Sequence, residues 1–533
     1  MINRNDPILS ESSLLYRIYP KSFFDFDGDG IGDIAGVTYK LPYLRSLGAD
    51  GIILTCLFES NVDYLGYGAT NFTRINPAIG TIEDFDRLIE GANLLGMRVF
   101  LSLSLFTTST QHEWFEKSKN ASEYNPYREY YVRRKGRNSR GTNPPDDRKN
   151  VFGDSAWINE KPVGTWYMNQ FGHDFPVLNY DNPRVRKEIL DVLRFWIGKG
   201  VDGFVFDHVY SDEKATSDDA SLSETEDLLT PIGALKRILT EAKEKIDAPF
   251  CAIINADSAN MRFAESFLES GLASSLCIES LISGTRLEGK SAFSPKKLFS
   301  EYLDLQTKHK SDRRYLAFED SGHQRMLSYF ESNADGLALP AAKMLATLLL
   351  TSCNTPILYQ GEELGMTNAV GKKSGFSSLF DKFAQTALSP FPWDNSANAG
   401  FSKVIPYIPV DDNARKINVA AEESDPESAL GFYRNMIAFR KSSPALCGGS
   451  FEDYSKGDLI LYLREAEGER LLIMMNASSR HANYPLPQAL LSESGYCECS
   501  NYPLVTKRMH ATIGLRPYEA RIYRLRAPLL ALS

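Results

Sequence analysis

Over most of the chain, apolar positions recur with helical spacing and then give way to short unbroken apolar runs. Val37, Leu41, Leu44 and Leu47 share one helical face, and the run Gly51–Leu57 follows. Thr81 and Asp84 have the spacing of a capping box, opening a helix whose inner face carries Phe85, Leu88, Ile89, Ala92 and Leu95. The run Met97–Leu105 comes directly after it. Asn182-Pro183 starts another helix, with Val185, Ile189, Val192, Leu193 and Trp196 inward and Gly200 at its end. The segment Val201–Asp207 then has the composition of a strand buried on both sides. Repeated helix-then-strand units with buried strands predict a parallel sheet covered by helices.

Two stretches break this rhythm. Residues 107–177 are rich in Tyr, Arg, Asn, Pro and Gly, as in an inserted excursion. From Phe451 onward the short runs Leu459–Leu463, Leu471–Met475 and Arg521–Leu525 predict a small β domain.

At 533 residues the chain is too long for one ordinary core. A hydrophobic share of 43% and a charged share of 24% are those of a globular protein. The net charge of −9 gives no footing for nucleic acid or an anionic membrane. The first residues lack an apolar h-region, and no apolar run reaches the length of a membrane span. With seven cysteines, most in apolar contexts, the expectation is core thiols in a reducing, cytoplasmic setting.

Several segments then carry a family likeness: Tyr16-Arg-Ile-Tyr-Pro-Lys-Ser-Phe23, Asp25-Phe-Asp-Gly-Asp-Gly-Ile-Gly-Asp33, Asn125-Pro-Tyr-Arg-Glu-Tyr-Tyr131, Val201–Asp207, Tyr359-Gln-Gly-Glu-Glu-Leu-Gly-Met366 and Trp393-Asp-Asn-Ser-Ala-Asn-Ala-Gly-Phe401. In type and order they resemble the α-glucosidase and oligo-1,6-glucosidase branch of the α-amylase family of glycoside hydrolases. The resemblance implies a TIM (β/α)₈ barrel with an inserted B domain after strand 3 and a C-terminal antiparallel β domain. The expected boundaries are 1–106 and 178–450 for the barrel, 107–177 for the insertion and 451–533 for the β domain. Barrel sites form at the C-terminal ends of the strands, so those positions decide the chemistry.

Retaining glycoside hydrolysis needs a nucleophilic carboxylate and a second carboxyl that donates a proton. Asp207 matches the family nucleophile, but the Arg expected two residues earlier is Val205. The acid/base should follow Cys251-Ala-Ile-Ile-Asn-Ala-Asp257; one register puts Ala256 at the family Glu, and a shift of one puts Asp257 there. In Ala317-Phe-Glu-Asp-Ser-Gly-His-Gln-Arg325, Glu319 and Arg325 hold the register, so Ser321 replaces a sugar-binding His and Gly322 the stabilising Asp. A local slip that brings in His323 is the alternative. The third strand has Ser102, Phe106 and Thr107 where the family has an Asp and an Asn-His pair. In Tyr64-Leu-Gly-Tyr-Gly68 both family Asp positions, Tyr64 and Gly68, are changed, and only the sugar-stacking Tyr67 is kept. A family Arg is replaced by Leu388.

The resemblance also implies a structural Ca²⁺ loop of Asp25, Asp27, Asp29, Ile31 (through its carbonyl) and Asp33. The folding parts of the family pattern are thus present while most of its chemical parts are missing. The expected function is binding or scaffolding, of a protein partner or an α-glucan, with little or no hydrolysis. An altered hydrolase using Asp207 and Asp257 is the alternative.

Overall fold

The computed structural model of the protein describes residues 8–60, 68–119, 124–150, 153–160, 165–169, 171–207, 230–256, 261–273, 275–278, 295–308, 314–322, 324–331, 336–368, 387–504 and 507–526. Eight strands form a closed barrel: β1 (Leu15–Ile18), β2 (Gly51–Leu54), β3 (Arg98–Leu103), β4 (Gly203–Phe206), β5 (Cys251–Ala256), β6 (Ser275–Ile278), β7 (Arg314–Ala317) and β8 (Thr355–Tyr359). They follow one another round the barrel in chain order. A helix follows each strand: α1 (Ile34–Leu47), α2 (Ile82–Leu94), α3 (Pro183–Gly198), α4 (Pro231–Lys245), α5 (Met261–Glu269), α6 (Pro295–Lys308), α7 (Ala338–Leu350) and α8 (Ala429–Ser442). The chain packs as two compact units, one holding Asp33–Thr38 and Ile53–Ser280, the other Asn3–Gly32, Tyr39–Ile52 and Leu281–Ser533.

In the first unit the helix starts are set by local chemistry. Thr81 and Asp84 make the reciprocal capping box of α2. Asn182 accepts from the Arg184 N–H and Pro183 occupies the first turn of α3, where no N–H is needed. The inward faces follow the spacing except at Leu95, which lies just past the end of α2 and is only half-buried: Phe85, Leu88, Ile89 and Ala92 are buried in α2, and Val185, Ile189, Val192, Leu193 and Trp196 in α3. Gly200, at φ +96°, takes the left-handed turn that ends this segment. After β3 comes a three-stranded antiparallel sheet of Arg133–Lys135, Thr165–Met168 and Trp157–Glu160. Several arginines are paired within this sheet and its turns. Arg128 and Arg133 meet Glu160 at 3.1 and 3.2 Å, Arg134 meets Asp146 at 3.4 Å, and Arg137 meets Asp147.

In the second unit, β9 (Ser450–Asp453), β10 (Leu459–Ala466), β11 (Glu469–Asn476), β12 (Gly495–Ser500) and β13 (Ala520–Leu525) form an antiparallel sheet in the order β9-β10-β11-β13-β12. Strand alternation predicts one wet face, yet β10 is buried on both sides from Leu459 to Arg464. Leu461 and Leu463 enter a core with Leu472, Met474 and Tyr523. On the other side the fully buried Arg464 donates to the carbonyls of Thr351 (2.6 Å), Gly449 (3.1 Å) and Ser450 (3.0 Å). Its charge is tolerated there because it is hydrogen-bonded to these carbonyls rather than left unpaired. Among the described residues no helix is long and apolar enough to cross a membrane.

Candidate functional site

Asp207 follows directly on β4, whose Gly203, Phe204, Val205 and Phe206 are all buried. The parallel register pairs Val205 with Ser102 of β3 and with Ile253 of β5. Continued by two residues, that register sets Asn255 beside Asp207. The Asn255 Nδ2 donates to Asp207 Oδ1 at 2.8 Å, and the Ser102 hydroxyl donates to Oδ2. The Asp207 N–H donates to the Leu103 carbonyl at 2.9 Å. Two neutral side chains from the flanking strands therefore fix both carboxylate oxygens, while Val205 is wholly buried. Asn255 carried no flag in the sequence reading; the pairing of Cys251 with Gly203 is the signal that finds it. Ser102 was expected only as a lost acid, and the structure gives it a role as a ligand of Asp207.

Phe106 and Thr107 are buried, Thr107 bridging to Val177 and the Phe106 carbonyl accepting from the Leu178 N–H at 3.0 Å. A cavity of about 20 Å³ lies among Phe106, Tyr180, Phe206, Asp207, Leu235 and Ile238. That is room for one water. Gly68 sits at φ +73°, and a Cβ there would come within 2.7 Å of the Phe175 ring. An Asp at 68 would thus meet both a disfavoured backbone conformation and an aromatic ring.

In the second unit, Ser321 is buried and the Gly322 N–H donates to Asp320 Oδ1 at 2.7 Å, closing a tight turn. Glu319 and Arg325 form an internal ion pair at 3.0 Å. Leu388 is a core residue whose carbonyl accepts from the Ser22 hydroxyl. Ala256 is the last residue of β5. Tyr64, Tyr67, Asp257 and His323 lie outside the described residues. His112, downstream of β3, is a helix cap: its Nδ1 accepts from the Trp114 N–H at 3.1 Å. Burial pushes its pKa down to about 4, so it is neutral.

The acidic loop brings Asp25, Asp27 and Asp29 together, with ligand oxygens within 4.8 Å of one another. Asp25 accepts from the N–H groups of Gly28 (2.7 Å) and Gly30 (2.9 Å), and Asp29 from that of Ile31 (2.7 Å). Burial and then the Asp29 charge hold the Asp27 carboxyl above its usual range. Asp33 Oδ1 accepts from the Gly36 N–H at 2.6 Å, at the start of α1.

Residues 17–449 match the family described as "Alpha amylase, catalytic domain". The oligo-1,6-glucosidase of Parageobacillus thermoglucosidasius is 30% identical over 576 residues, spanning 97% of this chain and 99% of that protein. The trehalose-6-phosphate hydrolase of Escherichia coli (strain K12) is 31% identical over 564 residues, spanning 96% and 98%. Among solved structures, the trehalulose synthase MutB from Pseudomonas mesoacidophila MX-45 superimposes with a TM-score of 0.86 at 29% identity, covering 97% of this chain and 99% of that one.

Proposed function

The chain belongs to the alpha-amylase family, and we propose that it is a member whose glucoside-cleaving centre has been taken apart, leaving a protein that acts by binding. The observation that carries this reading is the setting of Asp207. Its two oxygens accept from Asn255 and Ser102, in a wall where Val205 stands at the position of the orienting Arg. A nucleophile must be free to swing a lone pair toward the anomeric carbon, and hydrogen bonds from both flanking strands restrain this carboxylate. The substitutions at Phe106, Thr107, Ser321, Gly322 and Leu388 remove the polar groups that would grip a sugar. Loss of one stabilising group costs about 10²–10³ in rate, and loss of the general acid about 10²–10⁴. Such factors do not multiply cleanly, but their joint loss leaves turnover near background.

The test is hydrolysis of maltose, isomaltose and a nitrophenyl α-glucoside by the purified protein beside Asp207→Ala. Equal, background rates are expected. A wild-type rate that disappears in Asp207→Ala would overturn the reading in favour of an altered hydrolase in which Asp257 supplies the proton.

We further propose that Asp25, Asp27 and Asp29 hold Ca²⁺, with the Ile31 carbonyl and Asp33 as the remaining candidates. Three hard carboxylate oxygens in a tight turn suit that ion, and a divalent cation would relieve the Asp29 repulsion that adds to burial in raising Asp27. Ca²⁺ at about a hundred times its Kd would add about 2.7 kcal/mol of stability. Chelation should therefore lower Tm and added Ca²⁺ restore it; a Tm indifferent to both would exclude a structural ion.

A further inference from the structure

Lys40, in the part of α1 that belongs to the second unit, holds its ammonium in a box of three rings. The Nζ lies 3.7 Å from the centre of the Trp393 ring, 4.3 Å from that of Phe24 and 5.3 Å from that of Tyr39. Phe24 and Tyr39 stack at 5.5 Å and 25°, and Phe24 meets Trp393 edge-on at 6.1 Å, so the walls brace one another. Trp393 is fixed from behind, its indole N–H donating to the Phe23 carbonyl at 2.8 Å. Lys40 is half-buried and, among the described residues, has neither a hydrogen-bond acceptor nor an ion-pair partner. In this it differs from Lys199, Lys343 and Lys441, which are also shielded from water but reach carboxylates at 2.8, 3.8 and 2.6 Å.

The faces of rings attract a cation but are poor acceptors for its protons, so the water stripped from this ammonium is not replaced. Asp394 and, less strongly, Glu423 favour its charge from neighbouring segments, and Glu423 is itself held by Arg434 at 2.8 Å. Burial is the larger effect and takes the amine down to about 8. At pH 7.5 about a quarter of such an amine is free base, against about one part in a thousand for a solvated lysine near 10.4. A less basic amine attacks more slowly, by about tenfold here for a Brønsted slope of about 0.4–0.5. The gain in free base is about 200-fold and outweighs it, leaving a net advantage of about tenfold.

We propose that Lys40 is an acylation site, a reactive amine that takes the acyl group of an activated carboxylic acid such as an acyl phosphate or a thioester. The uncharged Nζ attacks the acyl carbon; a C–N bond forms, and the bond from that carbon to the phosphate oxygen or thiol sulfur breaks. The leaving group departs with the electron pair, and the surplus amine proton passes to it or to water. The product amide is neutral. It gives up the cation–π contacts with Trp393 and Phe24 and deprives Asp394 of this cation. The inference does not depend on the state of Asp207.

Brief labelling of the purified full chain with acetyl phosphate or acetyl-coenzyme A over a range of pH tests it, with occupancy of each lysine read by peptide mass spectrometry. Lys403 and Lys416, both exposed in the same unit, are the internal standards. Lys40 should be acetylated about tenfold faster than either at pH 7.5, with a rate that levels off by about pH 9. The donor that labels it, or both, identifies the source of the acyl group. Tyr39→Ala removes a wall that is 60% exposed and so tolerant of change. Water then reaches the ammonium, so the midpoint of the pH profile should move up and labelling at pH 7.5 fall about threefold. Lys40 labelled no faster than the standards by either donor, or a rate still climbing at about pH 10, overturns the proposal. An unchanged midpoint in Tyr39→Ala overturns it as well, because the box would then not be what sets the reactivity.

Discussion

Arg325→Ala should lower the free energy of unfolding by about 3–5 kcal/mol, the usual cost of stranding one partner of a buried ion pair. Arg325 is wholly buried. One nitrogen donates to Glu319 at 3.0 Å and to the Gln360 carbonyl at 2.7 Å, and the other reaches the Ala387 carbonyl at 3.4 Å. The guanidinium also lies 4.9 Å from the centre of the Tyr359 ring. Around it are Glu362 and Glu363, both buried. Burial, with the Glu319 charge second, pushes the Glu362 carboxyl well up, and burial pushes Glu363 up. Glu319 is itself raised by burial even with Arg325 in place. Without the arginine it must take a proton to remain inside.

The sign of the pH dependence follows from that. A carboxyl whose folded pKa is raised above its unfolded value binds more protons when folded, so stability falls as pH rises through that window. The deficit of Arg325→Ala should be smaller at pH 5 than at pH 8. Adding Glu319→Gln should recover part of it, because the stranded charge is then gone. Urea denaturation at the two pH values measures all of this. A single variant within about 1 kcal/mol of wild type would mean that water reaches the cluster, and the account would fail. These residues occupy positions of the family pattern, and their buried contacts tie the ends of β7 and β8 together.

The parts of the fold that could be read in advance were those fixed locally. Thr81 and Asp84 sit three residues apart and cap each other, so their meaning is contained in four letters. Asn182-Pro183 and Gly200 bound α3 for equally local reasons. The burial of the second face of β10 is not a local property, because what covers it, Thr351 and Gly449, is brought there by the tertiary fold. The site divides in the same way. Asp207 at the end of an apolar run is visible in the sequence, whereas its partners Ser102 and Asn255 lie 105 and 48 residues away and depend on strand register. Gly68 reads as a missing acid; only the fold shows the Phe175 ring that now fills its space.

Gly203→Ala is expected to cost about 3 kcal/mol, the upper end of what overpacking usually takes. Gly203 pairs with Phe100 on one side and Cys251 on the other. A Cβ there would lie 2.4 Å from the Cys251 carbonyl oxygen, 2.8 Å from its Cβ and 2.9 Å from the Phe100 ring. The nearest of these is backbone, which cannot turn aside as a side chain does. Strand β4 lies between two hydrogen-bonded neighbours in a closed barrel, so relief requires moving β4 against β3 or β5. Such a shift would also pull Asp207, four residues on, away from the Asn255 amide at 2.8 Å. Gly198→Ala is the control. It lies in α3, a Cβ there meets nothing within 4 Å, and the change should add about 0.5–1 kcal/mol by restricting the unfolded chain. Urea unfolding of the two variants side by side separates crowding from the mere loss of a glycine. If Gly203→Ala matched the wild type, β4 would have slack, and the tight seating of Asp207 would have to be abandoned.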